Sequence, residues 1–189
     1  MGTSVNQRSP DTLNWRAAQA TYEDAGIPIE RVLQEIWRAA TTQPDADFKA
    51  MLAEPIVLHL RNLALGSESA SSVAASARKA ISESKQTSLM ADIAFRAAVQ
   101  AATAPDRAQA YSERVFAEAS NYLISRDLPG YVGSVGRSST IADSFQFKSS
   151  VLRAATDAVK QTGVPSTPTA GAWRKHTAAV IDKLRGQSR

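Results

Sequence analysis

The stretch QTSLMADIAFRAAVQAATA, residues 86–104, constrains this chain more than any other segment. Its apolar residues go most of the way round a helical wheel, whereas a helix on a protein surface carries a single apolar stripe. Asp92 and Arg96 are the only charged residues of this stretch, and their spacing of four predicts an ion pair on one narrow strip. The sequence therefore predicts a buried central helix at 86–104, which the rest of the chain must cover.

The segments on both sides of this stretch also favour helix. Alanine is abundant along the whole chain, while residues that favour strands are sparse. Between breaks at proline and glycine, apolar residues recur every three or four positions. At 189 residues the chain is long enough for one domain with a substantial core. We expect an all-α, single-domain bundle of about seven or eight helices around the buried central helix.

Composition along the chain predicts its organisation. Residues 1–8 are polar and read as a flexible N-terminal tail, and residues 9–163 as the helical core domain. The sequence VPSTPT at 164–169 is typical of a Pro/Ser/Thr link, and residues 170–189 form a basic amphipathic C-terminal helix. Pro55 falls inside a helical pattern whose apolar residues keep their phase across it. We expect one bent helix there rather than two separate ones.

Several kinds of chemistry have no support in the sequence. The chain contains no cysteine, which excludes disulfides and thiolate metal sites. Neither a zinc-protease motif nor a nucleophile elbow is present, and the acids are scattered over predicted outer faces. The sequence therefore indicates no catalytic residue, no metal site and no cofactor. It also contains no apolar run that could span a bilayer and no export signal, so we expect a cytoplasmic chain.

The segment 127–140 is the most irregular one and is the first candidate site. Three glycines at intervals of three precede an arginine and hydroxyl side chains, immediately before a predicted helix. Free backbone N–H groups in such a loop favour an anion such as phosphate, or a protein partner. The alternative is a simple connection in which Ser139 or Thr140 caps the next helix. The candidate loop residues are Gly130, Gly133, Gly136, Arg137, Ser138 and Ser139.

A second candidate site comes from the distribution of charge. The chain has a formal net charge of +4, but from Lys148 to the end eight basic residues face two acidic ones, a net charge of +6. A basic surface of this kind is typical of nucleic-acid binding. A helix-turn-helix across 163–169 is a weaker alternative, because the link is long for that motif. The predicted basic C-terminal face comprises Lys160, Arg174, Lys175, Lys183 and Arg185.

Individual side chains carry further expectations. The chain has two histidines: His59 lies on or beside an apolar stripe and is interpreted as structural, and His176 lies near a helix edge and is interpreted as solvated. Glu118 is expected on the solvated side of a helix over 105–125. Ile141 and Phe145 are counted among the apolar residues of a helix over 140–162.

Three hypotheses about function follow. The first is a non-enzymatic helical interaction or assembly subunit, which binds a protein partner or itself through the C-terminal helix and the 127–140 loop. The second is a nucleic-acid-binding protein that uses the basic C-terminal segment. The third is a small enzyme or phosphate-ligand binder at the glycine-rich loop.

Overall fold

The computed structural model describes residues 12–42, 48–66, 69–84, 88–127, 140–166 and 169–186. Within these ranges the chain forms helices and no strand, so the all-α class is confirmed. Buried side chains from these helices make up one shared core. The helices, in chain order, are α1 Thr12–Glu23, α2 Ile29–Thr41, α3 Phe48–Leu52, α4 Pro55–Leu65, α5 Ala70–Ser84, α6 Leu89–Ala101, α7 Arg107–Asp127, α8 Ile141–Thr162 and α9 Ala170–Leu184.

Local signals in the sequence explain where the last two helices begin and end. Thr140 caps α8 reciprocally: its Oγ1 accepts from the Asp143 N–H, and the Asp143 carboxylate accepts from the Thr140 N–H. The expectation that a hydroxyl caps this helix is therefore confirmed at Thr140. Gly163 follows α8 with a φ of 72°, which favours a residue without a Cβ. Thr169 caps α9 by accepting from the Ala172 N–H.

The segment predicted as the central helix forms α6, which is covered on most of its sides. Helices α4, α5 and α7 pack around it. Its buried residues are largely alanines. Asp92 and Arg96 stay exposed, and the Oδ2 and Nη2 atoms of this pair lie 2.8 Å apart. The buried helix with one polar strip is thus confirmed.

Helix α7 is enclosed as thoroughly as α6, which the sequence did not indicate. Residues 115–120 are all buried, and six consecutive residues cover the whole circumference of a helix with about 3.6 residues per turn. Glu118 is among them, so the expectation that it is solvated is wrong. Its carboxylate forms ion pairs with Arg96 at 3.2 Å and Arg114 at 2.7 Å. These two cations compensate the charge that burial would otherwise penalise.

The region around Pro55 is a break between two helices rather than a bend in one. Helix α3 ends at Leu52, and Pro55 is the first residue of α4. The expectation of one bent helix is wrong because a proline costs nothing at the first helical position, where its missing N–H has no partner to lose. A proline in the interior would remove a backbone hydrogen bond. Beginning a new helix at Pro55 therefore costs less free energy than placing this proline inside one continuous helix.

The C-terminal helix α9 belongs to the common core. Its apolar side, which includes Trp173, Val180, Ile181 and Leu184, is buried, and α8, α2, α3 and α4 are its neighbours. The side that α9 leaves to solvent is therefore polar.

As for membranes, every helix in the described ranges is too short or too polar to cross a lipid bilayer.

Candidate functional site

The loop predicted as an anion or partner site lies outside the described residues. This holds for all six of its candidate residues, Gly130, Gly133, Gly136, Arg137, Ser138 and Ser139. The described chain stops at Asp127, the end of α7, and resumes at Thr140, the cap of α8. The role of this loop stays a prediction.

The basic residues of α9 lie on different sides of that helix. Arg174 and Lys175 are exposed in its first half, and Lys183 is exposed near its end. Arg174 and Lys183 are nine positions apart, which places them on opposite sides of a helix with about 3.6 residues per turn. Arg174 lines a groove against α4, whereas Lys183 lines another against α2 and α8. The fold does not bring these two cations together.

Lys160 has an acidic neighbour, whereas Arg185 is held to α2 through its backbone and not through its guanidinium. Lys160 is exposed on α8 and lies 4.0 Å from the carboxylate of Asp157. Arg185 follows α9, and its backbone oxygen accepts a hydrogen bond of 2.9 Å from Nε of Arg38 on α2. Nucleic-acid binding by the C-terminal segment therefore remains a prediction, and Arg174, Lys175, Lys160 and Lys183 are its exposed cations.

A buried serine and histidine pair lies where α9 meets α7, and no pattern in the sequence indicated it. The Oγ atom of Ser112 and the Nε2 atom of His176 are 2.6 Å apart. Both residues are buried, so the expectation of a solvated His176 is wrong. The rings of Trp173 and Phe116 pack against the imidazole at centroid distances of 5.5 and 6.3 Å.

This pair resembles the nucleophile and base of a hydrolase only in its residue types. A hydrolytic serine must reach the substrate, and a third group orients its histidine. Ser112 is fully buried, and within the described residues Nδ1 of His176 has no hydrogen-bond partner of good geometry. Burial lowers the pKa of His176 to about 4; the backbone at Gly163 opposes this shift, and the charge of Arg61 adds to it. The imidazole is therefore neutral near pH 7.

Arg61 ties the connection between α8 and α9 to α4. Its guanidinium is fully buried, and Nη2 donates a hydrogen bond of 2.6 Å to the backbone oxygen of Pro165. The guanidinium carbon lies 5.6 Å from the ring centroid of Trp173, and the Trp173 N–H donates to the Leu52 oxygen at 2.9 Å. Burial lowers the pKa of Arg61. These contacts hold α9 in place against the body.

His59 faces solvent on α4 instead of serving the core. It is exposed, so its interpretation as a structural histidine is wrong. Together with Asn62 and Arg174 it lines a groove of about 260 Å³ between α4 and the start of α9. None of these three side chains makes a hydrogen bond or ion pair with another residue in the described part of the chain. The groove presents polar side chains to solvent, and no group of three metal-ligating side chains occurs across the described ranges.

Two large apolar side chains are exposed at the start of α8. Ile141 is 70% exposed and Phe145, one turn later, is 67% exposed. They are the only exposed large apolar side chains among the residues whose burial is described. The expectation grouped both with the apolar residues of this helix, whereas the buried side of α8 starts at Phe147. A signal was present, because residues two positions apart, such as Phe145 and Phe147, cannot share one face of a helix.

A long apolar groove runs between α5 and α6. It has a volume of about 580 Å³, within the range of about 300–1,000 Å³ that is usual for binding pockets. Ile81, Leu89 and Phe95 give it an apolar floor, and all three are only half-buried. Arg78 and Asp92 stand among its polar residues. The helical wheel of α6 indicated a covered face here, but α5 covers it incompletely because its side chains are small.

Comparisons with protein-family models, with curated proteins and with solved structures find no match to this chain. The function of its candidate surfaces therefore has to be inferred from their own geometry.

Proposed function

We propose that this chain is a non-enzymatic helical assembly subunit that binds a second copy of itself. The observation that carries the proposal is the exposure of Ile141 and Phe145 side by side on α8. Self-association through this pair would bury both side chains in a contact between two copies of the chain. The proposal places the contact surface on α8 and not on α9, because the apolar side of α9 already packs in its own chain.

The hydrophobic effect favours burial of these two side chains in a contact. Full burial of an isoleucine or phenylalanine side chain contributes about 1.5–3 kcal/mol relative to leaving it in water. Because both side chains are mostly exposed in the isolated chain, most of this stabilisation is absent there. Adjacent exposed apolar side chains on a helix are typical of protein interaction sites.

The polar clusters favour assembly over catalysis. The Ser112 and His176 pair is sealed in the core, and His59, Asn62 and Arg174 line a shallow groove without an acid among its lining residues. General acid–base or nucleophilic chemistry needs a reactive group within reach of both a substrate and a second catalytic group. Binding to a partner requires only an exposed apolar surface, which Ile141 and Phe145 provide.

The test compares the mass in solution of the wild type with that of the double variant Ile141→Ser/Phe145→Ser. We expect the wild type to exceed the monomer mass by sedimentation velocity and light scattering, and the variant to sediment as a monomer with an unchanged circular dichroism spectrum. Gln146→Ser is the matched control, because Gln146 is exposed on the same helix and polar. A wild type that stays monomeric over the accessible concentration range contradicts the proposal.

Nucleic-acid binding is a second candidate, favoured by one observation. Arg174 and Lys175 are exposed next to the groove that contains His59, and neither cation forms an ion pair within the described ranges. A binding titration with duplex and single-stranded nucleic acid at two salt concentrations tests it, since affinity that depends on phosphate contacts falls steeply with salt. We expect Arg174→Ser/Lys175→Ser to weaken any binding, and absence of binding at low salt removes this candidate.

A further inference from the structure

We propose that the groove between α4 and the start of α9 binds the phosphate group of a small phosphomonoester. This groove is the one lined by His59, Asn62 and Arg174, and we call it the His59 groove. The inference goes beyond self-association and does not depend on it, because Ile141 and Phe145 belong to α8, and no residue of α8 is among the described residues that line this groove.

Side chains from two helices present hydrogen-bond donors to the His59 groove. His59 and Asn62 are three positions apart on α4, so they lie on the same face of that helix. Arg174 reaches the groove from α9. An imidazole, an amide and a guanidinium can all donate to a phosphate oxygen, and the guanidinium can do so through two parallel hydrogen bonds. Because none of the three side chains has a partner in the described part of the chain, all of them are available to a ligand.

The charge of the His59 groove favours an anion. Among the described residues that line it, Arg174 is the only one with a permanent charge. Two acids of neighbouring segments have partners elsewhere. The Glu54 carboxylate accepts a hydrogen bond of 3.0 Å from Ser88, and Glu83 lies 3.8 Å from the ammonium group of Lys79. An anion in the groove therefore meets a guanidinium and no carboxylate among the lining residues.

A second positive charge lies one side chain away from the His59 groove. Trp173 forms part of the groove wall, and the guanidinium carbon of Arg61 lies 5.6 Å from its ring centroid. Arg61 is fully buried, and within the described ranges it forms no ion pair and leaves Nε and Nη1 without a hydrogen-bond partner. Solvent screens a buried charge less than an exposed one, so this guanidinium adds positive potential behind Trp173. Buried charges are normally compensated, and an anion in the groove would supply part of that compensation.

The beginning of α9 adds backbone donors at the same groove. Ala170, the first residue of α9, lines it. Thr169 accepts from the Ala172 N–H, and the N–H groups of Ala170 and Gly171 have no partner inside the helix. The positive end of the helix dipole also lies there and favours a phosphate group. The backbone of α9 therefore supports the same ligand chemistry as Arg174.

The size of the His59 groove indicates the class of ligand. Its volume is about 260 Å³, below the range of about 300–1,000 Å³ that is usual for pockets that hold drug-sized molecules. The groove is therefore better matched to a phosphate group on a short carbon skeleton, such as glycerol phosphate, than to a dinucleotide. Ala53, Pro55 and Leu58 offer apolar contact for that skeleton.

Nuclear magnetic resonance of the two histidines tests the inference. Glycerol phosphate is titrated at constant ionic strength and at about pH 7, where a phosphomonoester carries a charge of about −1.5 to −2. His59→Gln assigns the two imidazole signals. We expect the signal of His59 to shift and saturate, and the signal of His176 to stay unchanged, because His176 is buried against Ser112. A shift of His59 that does not saturate, or an equal shift with sodium chloride at the same ionic strength, overturns the inference.

Two variants at exposed positions locate the binding in the groove. Arg174→Gln removes the charge of the lining, and Asn62→Glu places an acid within it. We expect each variant to raise the dissociation constant of glycerol phosphate roughly tenfold or more, as is typical when a hydrogen bond to a charged group is lost. Arg153→Gln, an exposed arginine of α8 outside the groove, is the matched control and should keep the wild-type affinity. Wild-type affinity in Arg174→Gln contradicts the assignment to this groove.

A second ligand separates this inference from nucleic-acid binding. A short single-stranded oligonucleotide without a terminal phosphate presents only phosphodiesters. If the oligonucleotide binds and glycerol phosphate does not, the inference is overturned in favour of a nucleic-acid surface. Sedimentation of the wild type without ligand decides self-association separately, and Arg174→Gln should sediment as the wild type does. Failure of the phosphate site and failure of self-association are therefore distinguishable.

Discussion

The Nε2 atom of His176 lies 2.6 Å from the Oγ atom of Ser112, inside the core where α9 meets α7. The two residues are 64 positions apart in the sequence. This contact makes the attachment of α9 sensitive to the protonation of one imidazole, because a charged histidine is costly to bury among the rings of Trp173 and Phe116.

Acid should weaken the fold through His176. Burial lowers its pKa from 6.5 to about 4, so between those values the unfolded chain binds a proton that the folded chain does not. Stability therefore falls as the pH is lowered through this window, by between about 1 and 3 kcal/mol from this group. Urea unfolding of the wild type and of His176→Gln at several pH values measures the difference, which should shrink as the pH falls. Because carboxylates titrate in both proteins, only the difference between them is informative.

The second histidine supplies the control for this measurement. His59 is exposed on α4, and His59→Gln should show the same loss of stability with falling pH as the wild type. Parallel pH profiles for the wild type and His176→Gln would contradict the assignment of this sensitivity to His176.

Arg61 should contribute to stability through its volume rather than its charge. The guanidinium is buried, and its Nε and Nη1 atoms have no hydrogen-bond partner in the described part of the chain. We expect Arg61→Ala to destabilise the fold by about 2–4 kcal/mol, because it leaves a cavity beside Trp173. Arg61→Met should recover most of this loss, since it refills the space and removes a buried charge. Thermal and urea unfolding measure both changes.

An exposed arginine gives the reference point for this comparison. Arg153→Ala on the outer side of α8 should change stability by less than about 0.5 kcal/mol. Equal destabilisation by Arg61→Met and Arg61→Ala would show that the charge, and not the volume, matters.

Two glycines near α9 should respond to alanine in opposite directions. Gly163 has a φ of 72°, a conformation that disfavours residues with a Cβ, so Gly163→Ala should cost about 1 kcal/mol or more. Gly171 lies in the first turn of α9, with open space where a Cβ would lie. Gly171→Ala should therefore stabilise the fold by up to about 1 kcal/mol. Midpoints of thermal unfolding measure the two effects, and shifts of the same sign would contradict the expected difference.

The helices and most of the core follow from the amino-acid sequence alone. The amphipathic character of α2 and α9 follows from their apolar periodicity, and the burial of Trp37 follows from its place on the apolar stripe of α2. These features are local, because they depend on residues within a few turns of one helix. The pairing of Asp92 with Arg96 was predictable for the same reason.

Which polar residues are buried and which apolar ones are exposed depends instead on how the helices pack. His176 and Glu118 are buried because residues distant in sequence, Ser112 and Arg96, supply their partners. Ile141 and Phe145 are exposed because neighbouring helices meet α8 on the side of Phe147. A helical wheel shows which residues share a face, but not which face a neighbouring helix covers. That choice is made by long-range packing, and it determines where the candidate surfaces of this protein lie.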